Sequence, residues 1–250
     1  MHADPWSNLK SRTTARIAPG RAGGSLPTAA CLAFAADHAD ARDAVYSELN
    51  VPAIGQSLGT PIVSLHSRAM DRTTYLQRPD LGRRLDQASA VQLASLAGEE
   101  MDVVLIVADG LSATAAQNHA AEVVKRLTES IRHRNFSLGP ICVALQARVA
   151  IQDEIGGLLR AKIAVILLGE RPGLGMADSL GAYLVHGPLI GKSDADRNCV
   201  SNIHPRHLTP SSASKALVWL IEQALIRRLS GVALKDDRIG LDHHFLVAPE

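Results

Sequence analysis

Val103–Val107 is a continuous run of apolar, mostly β-branched residues, and two similar runs follow at Ile141–Leu145 and Ile163–Leu168. Between the first two runs the apolar positions recur at helical intervals to about Leu127, and Asp153–Arg160 predicts a short helix before the third. Strands that are apolar throughout and alternate with helices predict a parallel sheet covered on both faces. A further strand is predicted at Leu180–His186 and an amphipathic helix at Ser211–Leu229. The expected fold class is therefore α/β, with a Rossmann-like, mostly parallel sheet domain over residues 101–236.

Upstream of residue 101 the pattern is different. Ala29–Tyr46 places Leu32, Ala36, Ala39 and Asp43 at helical intervals, with Ser25, Pro27 and Thr28 suited to its start. Residues 50–61 are rich in turn formers and read as a connection, and Ile62–Leu65 is a short strand candidate. Residues 71–97 carry two helical segments divided at Arg78-Pro79, because the residue before proline resists helical geometry. The expected organisation is an arm over 1–24, a smaller mainly helical region over 25–100, the sheet domain over 101–236 and a tail over 237–250.

Composition narrows the partners. Hydrophobic residues make up 46% of the 250, enough for a sizeable core without staples. Aromatics are only 3% and the formal net charge is +1, which together argue against base stacking and phosphate neutralisation, and so against nucleic acid. Cys31, Cys142 and Cys199 are widely spaced and form no C-x-x-C, so neither a zinc cage nor a disulfide framework is indicated. Met1–Lys10 lacks the apolar run of a secretory signal, and no apolar stretch approaches the ~20 residues of a membrane span. A soluble, reduced, cytoplasmic chain is expected.

Ligands of open parallel sheets bind beyond the carboxyl ends of the strands. Here these ends are Ala108-Asp109-Gly110, the region around Arg148-Val149, and Gly169-Glu170-Arg171. Asp109 and Ser112 read as caps of the next helix or as a polar lip over a ligand. Glu170 reads equally well as a surface ion pair with Arg171 or as an acceptor for a ligand's amide N–H or hydroxyl groups. Cys199 lies in a polar loop, Asp196–Asn202, where packing or ligand contact is favoured over nucleophilic attack. Gly20–Ser25 lacks the ending of a P-loop and fits a docking arm better than a phosphate cradle. His243-His244 lacks a third metal ligand.

Several strings, in this order, carry a more specific signal: Gly20–Thr28 (GRAGGSLPT), Tyr75–Leu85 (YLQRPDLGRRL), Val107–Ser112 (VADGLS), Gly169–Leu174 (GERPGL), Asp178–Tyr183 (DSLGAY), Arg197–Ile203 (RNCVSNI) and Ser230–Lys235 (SGVALK). Together they resemble the small subunit of adenosylcobalamin-dependent ethanolamine ammonia-lyase over nearly the whole chain. The resemblance implies a large catalytic subunit that binds ethanolamine and most of the reacting groups, with adenosylcobalamin held between the two chains. It also implies radical conversion of ethanolamine to acetaldehyde and ammonia, begun by homolysis of the cobalt–carbon bond. The family's cobalamin contacts fall on segments matched here by Val149, Glu170 and Cys199, expected to give apolar contact, accept hydrogen bonds and line the wall. No residue of this chain is assigned as acid, base, nucleophile or metal ligand; the cobalt belongs to the cofactor. The family's setting is the cytoplasm, free or within a bacterial microcompartment. Two rival readings stand beside this one: an assembly subunit without cofactor contact, and a nucleotide-binding oxidoreductase. The second lacks G-x-G-x-x-G after every strand.

Overall fold

A computed structural model describes residues 4–13 and 15–236. The tail over 237–250, with His243 and His244, lies outside the described residues. The elements run α1 (Ser7–Lys10), α2 (Thr28–Tyr46), α3 (Val51–Leu58), β1 (Ile62–His66), α4 (Arg72–Gln77), α5 (Gln87–Ser95), β2 (Met101–Ala108), α6 (Ala113–Ala115), a π-helical turn (Ala116–Ala120), α7 (Ala121–His133), β3 (Ile141–Leu145), α8 (Ile151–Leu158), β4 (Ala161–Gly169), β5 (Leu180–His186), β6 (Arg197–Ile203) and α9 (Pro210–Arg227).

The six strands form one mostly parallel sheet in the order β1-β3-β2-β4-β5-β6. The first four are parallel; β5 runs antiparallel to β4, and β6 antiparallel to β5. The protein is thus a mixed α/β fold whose sheet also takes in β1 from the first hundred residues.

Why the central strands are apolar throughout follows from their two-sided burial. Val103, Leu105 and Val107 face a layer with Val123, Leu127, Leu217 and Ile221 from α7 and α9. Val104, Ile106 and Ala108 face the opposite layer, with Ile151 and Ile155 of α8 and Leu93 of α5.

Two expected connections turn out to be regular elements. Residues 50–61 contain α3, because the turn formers occupy positions a helix tolerates. Asn50 caps the helix by accepting the Ala53 N–H, Pro52 sits in the first turn, and Gly59 closes it in the left-handed region at φ 66°. Asp196–Asn202 is largely β6, an edge strand polar enough to read as a loop. At the start of α2 neither Ser25 nor Thr28 caps: the N-cap position is Pro27, without a side-chain bond.

The turns after β2 and β4 approach closely. A Cβ on Gly110 (φ +57°) would lie 2.3 Å from the Gly169 carbonyl oxygen, and one on Gly169 would lie 1.9 Å from that of Ser112. Only glycine permits both.

On the α8 side, Glu154 accepts Arg84 Nε and Nη2 at 2.9 and 3.2 Å and the Leu85 amide at 2.8 Å. Burial pushes this carboxyl up, but Arg84 and the Leu85 amide outweigh it and hold it below the usual glutamate range. A depressed carboxylate stabilises the fold above its unfolded pKa, and that contribution disappears as pH falls through the folded value. Glu154→Gln should therefore cost about 1–2 kcal/mol near neutral pH. Urea titrations at several pH values should show the gap from wild type closing below about pH 4.

Candidate ligand face at the carboxyl ends of the strands

The turn after β3 is held from below by a buried carboxylate. Asp109, at the end of β2, accepts the Gln146 amide at 2.7 Å and the Ala147 amide at 3.0 Å. It is neither the cap of the following helix nor a lip over solvent; Ser112 is the cap, accepting the Ala115 N–H, and donates its own hydroxyl to the Ala177 carbonyl. Burial drives the Asp109 carboxyl up, against the pull of the two amides and of Arg72, whose Nη1 is 3.7 Å away. Gln146 needs this support, since its φ of 51° lies in the left-handed region. Tyr75 lies between two guanidiniums, Arg72 at 4.6 Å and Arg148 at 4.2 Å from its ring, and donates its hydroxyl to the Ala147 carbonyl.

Val149 follows directly, half-buried, and borders a cavity of about 550 Å³ with Arg83, Arg148, Asp153, Lys192 and Asp194. Asp153, on the wall of this cavity, is one half of a buried ion pair. Arg197 of β6 bonds Asp153 of α8 and the Ser193 carbonyl.

Glu170 stands just past β4. Its Oε2 accepts the Ser179 hydroxyl at 2.7 Å, and the Asn202 amide lies 3.2 and 3.3 Å from its two oxygens. It therefore bonds across the β4–β5 loop and the end of β6 rather than forming an ion pair with Arg171. A carboxylate has about four acceptor positions, so capacity remains for a further donor. Gly181 makes the space: a Cβ there would meet Glu170 Oε1 at 3.0 Å.

Cys199 is exposed and pairs across β5–β6 with half-buried Tyr183. Although the residue is exposed as a whole, partial desolvation of its thiol against the sheet is the main force raising the pKa, and the Tyr183 hydroxyl beside it opposes the rise. The Tyr183 phenol is raised too, first by burial and then by Cys199, Glu170 and Asp194. Register places Cys199 level with Ile166, short of the end of β4.

Glu170 and Cys199 thus flank Tyr183 on the face that α8 covers further along, and Asp194 links this patch to the cavity beside Val149. Beyond α8, among the described residues, that face leaves Cys199 and Ser201 exposed. Tyr183, Asp153 and Arg197 were not legible as site residues. Tyr183 looked like any strand residue, and the ion pair joins positions 44 residues apart.

Fold and site together define an α/β protein whose candidate ligand surface is an open sheet face near its antiparallel edge. The chain belongs to the ethanolamine ammonia-lyase light-chain family, whose model matches residues 3–235. It is 49% identical over 233 residues to the ethanolamine ammonia-lyase small subunit of Rhodopseudomonas palustris (strain BisA53), covering 92% of this chain and 89% of that one. Against the small subunit of Azotobacter vinelandii (strain DJ / ATCC BAA-1303), identity is 49% over 240 residues, covering 94% and 89%. That of Xanthomonas campestris pv. campestris (strain B100) is 47% identical over 256 residues, covering 98% and 94%.

Proposed function

We propose that this chain is the small subunit of an adenosylcobalamin-dependent ethanolamine ammonia-lyase, a carbon–nitrogen lyase that forms acetaldehyde and ammonia from ethanolamine. The observation that carries the reading is family membership across nearly the whole chain. The open face supports it. A broad cofactor with amide-bearing edges needs an uncovered surface, apolar contact and fixed acceptors, and Val149, Cys199 and Glu170 offer these at its margins.

When bound, adenosylcobalamin supplies homolysis of its cobalt–carbon bond, chemistry that side chains do not provide. This chain's part is to hold and shield. Val149 would give the cofactor apolar contact, Glu170 would accept its amide N–H groups, and Cys199 with Tyr183 would line the wall of the site. Ser179, Asn202 and Gly181 keep the Glu170 carboxylate in one place.

The large subunit completes the site and binds ethanolamine. An exposed surface of α2 supports such a partner: Leu32 is 66% and Tyr46 59% exposed, and Phe34 lies on the same helix with 46% exposed. Apolar side chains along a nearly uncovered helix are the mark of an interaction surface. Among the described residues no helix is long and apolar enough to cross a membrane, and the proposed setting is the cytoplasm, free or within a microcompartment.

The test is co-expression with the large subunit and a cobalamin-dependent assay for acetaldehyde. Activity should require both chains, and this chain alone should give none. Glu170→Ala in the complex should weaken cobalamin binding about tenfold, the loss of one hydrogen bond to a charged acceptor. Undiminished activity without this chain would reduce it to an assembly role, and unchanged cobalamin affinity would remove the role given to Glu170.

A further inference from the structure

Three ligand-type side chains meet on the other side of the β4–β5 loop. His119 comes from the π-helical turn, Asp178 from the loop between β4 and β5, and His204 from the turn after β6. The two imidazoles are almost wholly buried, at 11% and 8% side-chain exposure, and Asp178 is 27% exposed. The carboxylate stands between the rings, with Oδ2 3.3 Å from His119 Nε2 and Oδ1 3.4 Å from His204 Nε2. The potential ligand atoms of all three lie within 4.8 Å of one another.

Those spacings are long for charge-assisted hydrogen bonds, which settle at about 2.7–2.9 Å. The His119–Oδ2 spacing matches one edge of a coordination tetrahedron, since ligands about 2.1 Å from a zinc ion stand about 3.4 Å apart, and closing the other edges on one oxygen takes a small turn of the carboxylate and a contraction of the set from 4.8 Å. The π-helical turn adds a second sign. One wide turn inside a helix re-aims a side chain at a cost in backbone bonding, and such turns recur at functional sites.

We propose that His119, Asp178 and His204 form a divalent transition-metal site of the zinc type, with a fourth position left for water. Two imidazoles and one carboxylate suit zinc and its neighbours rather than magnesium or calcium, which take oxygen donors. The site is independent of the cobalamin reading, although an ion here would clamp the loop whose Ser179 bonds Glu170.

Proton balance identifies what must move. His204 Nδ1 accepts the Arg206 amide at 3.0 Å, so the neutral ring carries its proton on Nε2. For an ion to bind, the Nε2 proton must first pass through solvent to Nδ1, which frees the Nε2 lone pair and requires the Arg206 amide to turn away. Arg206, on the exposed 205–207 turn, brings an opposing positive charge. Nothing in the spacing of these three residues along the chain marks them as a set.

The experiment uses the full chain carrying His243→Ala and His244→Ala, so that the tail cannot bind metal, stripped with a chelator and titrated with zinc chloride against a chromophoric competitor. One equivalent per chain is expected, with binding at least tenfold weaker in H119A and in H204A. Equal binding in all variants, or none in the parent, would overturn the site, the first result meaning an adventitious ion only. Should the variants fail to fold, X-ray absorption at the zinc edge of the parent decides: two imidazoles in an oxygen–nitrogen shell support the site, and fewer than two overturn it.

Discussion

Replacing Arg197 by alanine is expected to destabilise the chain by about 3–5 kcal/mol, the cost of leaving a buried charge without its partner. The Arg197 and Asp153 side chains are 1% and 3% exposed. Among the described residues Asp153 Oδ1 has no hydrogen-bond partner, so the guanidinium is the main support of this carboxylate. With its amide suitably turned, Gln152 accepts Arg197 Nε at 3.2 Å and so fixes the cation's plane. Burial already pushes the Asp153 carboxyl up to about 6, against the pull of Arg197 and Lys192. A raised carboxyl means that the folded state binds the extra proton, so stability falls as pH rises from the unfolded pKa through about 6. Removing Arg197 extends that fall to higher pH. The cost of Arg197→Ala should therefore be larger at pH 8 than at pH 5.5, as read by urea denaturation. Arg197→Met with Asp153→Leu should recover most of the loss, because an apolar pair leaves no charge to desolvate. A pH-independent cost and no recovery in the double variant would show that the ion pair is not what holds α8 to β6.

Asp109→Ala is the second large effect, about 2–5 kcal/mol, because it leaves the Gln146 and Ala147 amides buried without acceptors. It also removes the anion nearest the Arg72 guanidinium. Asp109→Asn should be milder but still costly, since its carbonyl accepts one amide while its NH2 group faces the other. The turn they support carries Gln146 in a left-handed conformation and leads directly to Val149. Hydrogen exchange at Gln146 and Ala147 should accelerate well beyond any global change. Exchange that tracks global stability alone would mean the turn is held by other contacts, Tyr75 with the Ala147 carbonyl foremost.

The central strands were legible because their signal is local. Ile141–Leu145 and Leu180–His186 occupy the predicted bounds, and Val103–Val107 and Ile163–Leu168 each grow by two residues at the start and one at the end. β6 escaped notice because an edge strand packs mainly one face. Val200 and Ile203 meet the core under α9, while Cys199 and Ser201 remain in solvent. α3 escaped because Asn, Pro and Gly mark helix ends as readily as loops, and only the sequence of φ angles separates the two uses.

The amino-acid sequence alone determined the apolar framework and the family. Residues buried on two faces must be apolar along their whole length, and ordered strings of specific residues persist in a chain without reference to its fold. The strand ends where Val149 and Glu170 sit followed from the same pattern. Tertiary structure decided what those ends are made of: Asp109 beneath the Gln146 turn, Glu170 joined to Ser179 and Asn202, Arg197 sealed against Asp153, and His119, Asp178 and His204 drawn to one point. Each of these joins side chains from different loops. Their partners are chosen by how strands order in the sheet and how closely two glycine turns approach, and neither quantity is a property of any short stretch of chain.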